Sequence, residues 1–169
     1  GDDPMFIGLV KRGQRVTGGK LGSFCVSCHS PMAVRAGITV DGTDLANAPR
    51  ALKGIGCYYC HTISALTADH GNQFTFDASG VFFGGIPSPV ETTAHASSYH
   101  ALFDRQRLAS SDLCGGCHDI LLGDGTPFER VYREWKDSLY AHPGDATMRT
   151  CGKCHMPGRE GQAATSSGS

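Results

Sequence analysis

Apolar and polar positions along this chain seldom keep one period for more than a turn or two. The longest regular stripe is Phe128, Val131, Tyr132, Trp135 and Leu139, the spacing of one helix face. Thr126 and Glu129 form a capping box ahead of it, Pro127 takes the first helical position, and His142-Pro143-Gly144 closes it. These signals predict a helix over 126–141. A second helix is expected from Ser97 or Ser98 to about residue 109, carrying Leu102, Phe103 and Leu108. Phe74 and Phe76 alternate with polar residues, Asp77-Ala78-Ser79-Gly80 reads as a turn, and Val81-Phe82-Phe83 returns, so 73–85 predicts one small hairpin. Pro31, Gly37, Asp41-Gly42, Pro49, Gly54 and Gly56 cut 30–56 into turns. Residues 1–24 are glycine-punctuated and carry Lys11, Arg12, Arg15 and Lys20. They are expected as a solvated coil, or as an arm that packs on a neighbouring subunit.

Length and composition narrow the class. A chain of 169 residues predicts a single domain, here 1–161, followed by a Ser/Gly-rich tail at 162–169 of linker composition. Charged residues make up 18 %, below the ordinary ~25 %. Glycine occurs 23 times, which suits a backbone that bends tightly and approaches other groups closely. The net charge of −1 offers no basic patch for nucleic acid. No run approaches the ~20 apolar residues of a membrane helix.

The chemistry lies in a pentapeptide that occurs four times. Cys25-Val26-Ser27-Cys28-His29, Cys57-Tyr58-Tyr59-Cys60-His61, Cys114-Gly115-Gly116-Cys117-His118 and Cys151-Gly152-Lys153-Cys154-His155 all read C-x-x-C-H. This is the attachment signature of c-type haem. Both sulfurs form thioethers with the haem, and the adjoining histidine reaches the iron from one side. Cys25, Cys28, Cys57, Cys60, Cys114, Cys117, Cys151 and Cys154 account for all 8 cysteines. Zinc ribbons or a disulfide framework would explain paired cysteines, but not a histidine after every second one. With 8 histidines in 169 residues, four such coincidences have a chance of about 5 × 10⁻⁶. The motifs begin at 25, 57, 114 and 151, too unevenly for a solenoid repeat.

Four haems on this chain leave about 42 residues each, too few to wrap them and also build a side-chain core. The expected architecture is a multihaem cytochrome c: mostly irregular coil, a few short helices and one small hairpin around a stacked haem core. The aromatic residues of the hairpin would cover a haem face or edge. His29, His61, His118 and His155 supply one axial ligand each, and His70, His95, His100 and His142 remain to supply the second. Methionine (Met5, Met32, Met148, Met156) is the main rival, although Met32 and Met156 follow their own motif histidines too closely to reach round and suit a core role. Eight histidines match four bis-histidine haems, which have no open position for substrate. The census therefore favours electron transfer over catalysis. His95 and His100, five apart, would serve different haems, and the helix over 126–141 would present His142. Haem is attached to C-x-x-C-H outside the cytoplasmic membrane in prokaryotes, so an exported, mature chain is expected from Gly1 onward. The tail would lie on a neighbouring subunit or carry sugars.

The second half carries a resemblance. Phe76-Asp77, Phe83-Gly84, His95, His100, Ser110-Ser111-Asp112-Leu113-Cys114-Gly115-Gly116-Cys117-His118-Asp119, Glu134-Trp135-Lys136-Asp137-Ser138-Leu139-Tyr140-Ala141-His142 and Thr150-Cys151-Gly152-Lys153-Cys154-His155-Met156-Pro157 together resemble multihaem cytochromes related to the tetrahaem carrier of hydroxylamine oxidation. That group includes the OmcE- and OmcS-type subunits of extracellular nanowires. The resemblance spans roughly residues 70–157. It implies four bis-histidine haems in a continuous chain and head-to-tail assembly of the protein with itself, one distal histidine crossing the interface. It also implies an extracellular or cell-surface location, with other cytochromes or extracellular acceptors as redox partners. An interface that does not close on itself produces an open helical polymer. The alternative is a soluble periplasmic tetrahaem shuttle. A small-oxyanion reductase would need an open axial site, which the histidine count disfavours.

Overall fold

A start signal opens the first helix, α1 (Pro4–Val16). The Asp3 carboxylate accepts from the backbone N–H groups of Met5 at 2.7 Å and Phe6 at 3.4 Å, and Pro4 needs no partner at the first helical position. A computed structural model describes residues 3–68, 71–90, 95–144 and 146–158. The chain divides into two compact units, Gly1–Cys60 and His61–Ser169, the division falling inside the second pentapeptide.

In the first unit α1 turns Val10 and Gln14 inward. The Gln14 amide donates to the carbonyls of Gly22 (2.6 Å) and Asp41 (3.1 Å) and accepts from the Gly22 N–H (3.2 Å), tying the helix to two loops. A solvated coil is therefore not what 1–24 forms. Phe6, Val10 and Gln14 repeat every four residues and give the helix an inner face. Beyond it, α2 (Val26–His29) and α3 (Pro31–Arg35) pack beside 3₁₀ turns at Leu45–Asn47 and Arg50–Leu52. Val26, Ala33, Leu45 and Ala48 form the core, with Phe6, Val34 and Leu52 against it. Gly42 has φ +80°, and a Cβ there would lie 3.2 Å from Val26, so both backbone and space call for glycine. The next helix, α4 (Cys57–His61), is the second pentapeptide itself.

The second unit is built from short pieces. Strand β1 (Ile63–Leu66) pairs antiparallel with β2 (Phe74–Phe76), and β3 (Val81–Gly84) pairs parallel with β4 (Ala96–Tyr99). Helix α5 (Ser110–His118) follows, and β5 (Ile120–Leu121) pairs antiparallel with β6 (Pro127–Glu129). Helices α6 (Val131–Lys136) and α7 (Cys151–His155) complete it, with 3₁₀ turns at Ala101–Phe103 and Leu139–Ala141. Among the described residues, then, the chain has short helices, two-stranded sheets and much irregular backbone. None of the described helices is long and apolar enough to cross a membrane.

Three local expectations are corrected here. The turn at Asp77–Gly80 forms, with the Asp77 carboxylate accepting from the Ser79 N–H at 2.8 Å, but its flanking strands do not pair with each other. Phe74–Phe76 pairs backward with β1, and Val81–Gly84 pairs forward with β4. Residues 97–109 do not form a helix. Ser97–Tyr99 are strand, and the His100 N–H continues the ladder to the Gly84 carbonyl at 2.8 Å. The helix expected over 126–141 shrinks to α6. Pro127 and Glu129 belong to β6, and Arg130 caps the helix with no side-chain bond. Of the expected apolar stripe only Tyr132 is buried, while Phe128, Val131 and Leu139 are exposed.

Candidate cofactor-attachment sites

All four pentapeptides sit on helical turns: Cys28 and His29 on α2 with Cys25 as its cap, Cys57–His61 as α4, Cys114–His118 at the end of α5, and Cys151–His155 as α7. A helical turn puts residues three apart on one face and the fourth beside the first. Two sulfurs and an imidazole thus face one way in each motif, as thioether attachment with iron ligation requires. All eight cysteines are thiols, not disulfides. Among the described residues no three His, Cys, Asp or Glu side chains converge as a metal centre.

The side chains around each imidazole aim it. In the first unit, Phe6 stacks on His29 with ring centroids 4.5 Å apart. In the second, Phe103 stacks on His61 at 5.2 Å, and the His61 Nδ1–H donates to the Phe83 carbonyl at 2.5 Å. A carbonyl can only accept, so Nδ1 carries the proton and Nε2 presents its lone pair. The His118 Nδ1–H donates to the Glu129 carboxylate at 3.0 Å, with the same consequence. The register that sets Glu129 opposite Ile120 brings its side chain back over His118. Beside it, Arg130 pairs with the buried carboxylate of Asp119.

The third and fourth motifs are clamped together. The Ser111 hydroxyl accepts from the Cys151 N–H at 3.1 Å, and the Thr150 hydroxyl donates to the Arg105 carbonyl at 2.7 Å while capping α7 through the Lys153 N–H. A hydrogen bond from the Cys114 thiol, outweighing desolvation and helped by Ser111, holds the Cys151 thiol down at about 6. The leading sulfurs of the two motifs are therefore neighbours. Elsewhere burial, followed by the paired cysteine, pushes the Cys25 and Cys60 thiols up.

The close approach around α5 explains both of its central glycines. A Cβ on Gly115 would lie 2.7 Å from Tyr132 Cγ, and one on Gly116 would lie 2.3 Å from Phe74 Cζ. Tyr132 is buried and donates to the Asp112 carboxylate at 2.6 Å. No periodicity in the sequence marks this contact, which only the fold discloses.

The expected distal histidines fare differently. His95 lies just before β4 and His100 just after it. Phe82 stacks on His95 at 4.5 Å, and Phe83 lies tilted against His100 at 5.2 Å. Phe82 and Phe83 are consecutive on β3, and consecutive strand residues point to opposite faces. The two imidazoles thus lie against side chains on opposite faces of a strand, not on the expected helix. His95 Nδ1 lies 3.2 Å from both the Ala96 carbonyl and the Ser97 hydroxyl. His100 Nδ1 instead accepts from the Leu102 N–H at 3.2 Å, capping the 3₁₀ turn. Its ring must leave that cap before Nε2 can act as a ligand. His142 ends the turn Leu139–Ala141 and is exposed. His70 and the tail 162–169 lie outside the described residues.

His100, Leu102, Asp112, Tyr132, Lys136 and the strand around Ser64 line a cavity of about 480 Å³, within the ~300–1,000 Å³ of small-molecule pockets. It offers the Lys136 ammonium for an acid group, and an imidazole for a metal once His100 leaves its cap. The second unit also has little core of its own. Its buried hydrophobic residues among those described are Ile63 and Tyr132, while Ile86, Val90, Leu122, Phe128, Val131, Leu139, Tyr140 and Met156 are exposed. These residues fit a haem in donor set and in unfilled apolar surface.

No family model and no curated protein matches the chain. Among solved structures, a penta-haem cytochrome c552 from Thermochromatium tepidum is similar at 24 % identity with a TM-score of 0.49, covering 79 % of this chain and 38 % of that one. The chain thus spans well under half the length of that neighbour.

Proposed function

We propose that this chain is a tetrahaem c-type cytochrome that transfers electrons and catalyses no reaction of its own. The observation that carries the reading is the helical turn at each C-x-x-C-H motif, with all eight cysteines present as thiols. Cys25/Cys28, Cys57/Cys60, Cys114/Cys117 and Cys151/Cys154 hold the haems, and His29, His61, His118 and His155 are their first axial ligands. His70, His95, His100 and His142 are the second ligands. The haems supply one-electron chemistry at iron, and the protein tunes it through ligands, hydrogen bonds and burial. The bond from the Cys151 N–H to the Ser111 hydroxyl holds the third and fourth motifs together, which favours exchange between the haems attached there. The thin apolar core of the second unit is what a chain filled by cofactors would have.

The finer reading is a subunit of an extracellular filament, assembled head to tail with a distal histidine donated across the interface. Its support is the resemblance over residues 70–157 and the open-polymer argument. Reductive coulometry of the purified protein tests the first reading: four electrons per chain are expected, and uptake of none refutes it. Electron micrographs of the same sample test the second. Uniform fibres with a continuous row of haems support the filament, and single small particles support a diffusing periplasmic shuttle instead.

A further inference from the structure

The His61 and His118 imidazoles are aimed by the same kind of bond but by partners of different charge. His61 Nδ1–H meets the neutral Phe83 carbonyl at 2.5 Å, whereas His118 Nδ1–H meets the Glu129 carboxylate at 3.0 Å. We propose that Glu129 is a positioning residue that holds the haem attached at Cys114 and Cys117 at a lower reduction potential than the haem attached at Cys57 and Cys60. The proposal rests on the tetrahaem reading above.

The physical argument is direct. A carboxylate on the far ring nitrogen draws the Nδ1 proton toward itself and makes Nε2 a stronger donor. A stronger donor stabilises the ferric ion over the ferrous one, because the ferric ion carries one more positive charge. A neutral carbonyl does this more weakly, since hydrogen bonds to ionised acceptors are roughly twice as strong. Glu129 is fixed for the task from two sides. Strand pairing sets it opposite Ile120, and the neighbouring Arg130 is taken up by Asp119 rather than by Glu129. The Glu129 side chain is 34 % exposed, so water screens part of the effect without removing it.

Replacing Glu129 with glutamine keeps a carbonyl oxygen for the Nδ1–H and removes the charge. In a spectroelectrochemical titration of the haem-loaded protein, one of four one-electron components should move to higher potential in Glu129→Gln. The expected size is about a tenfold loss in ferric preference, or 59 mV for one electron. Glu129→Asp should retain a low-potential component, and Asp137→Asn, which removes an exposed carboxylate paired with Arg133, should shift no single component selectively. The proposal is overturned if Glu129→Gln moves all four components together, or none, or no more than Asp137→Asn does. Should Glu129→Gln fail to load haem, Glu129→Asp decides alone: loss of the low-potential component overturns the proposal. Failure of the underlying reading would look different, since wild-type protein would then carry no covalent haem at all.

Discussion

Gly115 offers the sharpest test of the packing described around the third motif. On local grounds alone, Gly115→Ala should stabilise, because alanine is favoured over glycine inside a helix by about 1 kcal/mol. The structure predicts the opposite sign. The added methyl would sit 2.7, 2.8 and 2.9 Å from three atoms of the Tyr132 ring, where comfortable contact is about 3.5–4.0 Å. The ring must therefore back away by about 1 Å. It is 2 % exposed and held by its hydroxyl to Asp112 at 2.6 Å, so moving it strains the core or stretches that bond. Overpacking costs about 1–3 kcal/mol and a weakened bond to a charged acceptor up to about 1.5–3 kcal/mol. With both costs incurred and the helix gain subtracted, a net loss of roughly 1.5–5 kcal/mol is expected. Urea unfolding of the ferric holoprotein, followed by far-ultraviolet circular dichroism, measures it. Thioether-linked haem stays on the chain in both states, so the comparison keeps one reference. Tyr132→Leu in the same chain should abolish most of the cost in a double-mutant cycle. A midpoint raised by Gly115→Ala at unchanged slope would refute the reasoning.

Two further outcomes follow from named contacts. Arg130→Met should destabilise near the low end of about 3–5 kcal/mol, because it strands the Asp119 carboxylate, whose side chain is 5 % exposed beside an arginine that is 31 % exposed. Asp119→Asn should cost less, since it leaves no buried charge, and equal midpoints for the two variants in denaturant titrations would contradict this. Replacing Cys57 and Cys60 together with serine should remove one haem, lowering the Soret absorbance per chain to about three quarters, while mass spectrometry shows the other three attached. Loss of every haem would mean that the motifs do not load independently.

The candidate site was far more legible in the sequence than the fold. Covalent attachment demands two sulfurs and an imidazole at fixed spacing, so Cys114, Cys117 and His118 declare themselves without any tertiary information. Strand pairing makes no such demand. Phe74–Phe76 and Val81–Gly84 are too short to carry a period that names a partner, and the turn between them suits a hairpin that long-range pairing overrides. The signals at Thr126, Pro127 and Glu129 misled for a related reason. A capping box is a local pattern, and here Glu129 is recruited by His118 while Pro127 enters a strand. Glu129 itself had no signal as a histidine partner, because only the pairing of β5 with β6 brings it there. Phe82 and Phe83, expected to lie on haem, lie on His95 and His100, which serves to orient groups aimed at iron.

The most direct test of the whole account is the intact mass of the protein produced with an export signal in a host that matures c-type cytochromes. The account predicts the mass of the chain plus four haems, retained under denaturing conditions because the thioethers are covalent. A bare chain, or one that releases zinc on acidification, would contradict it.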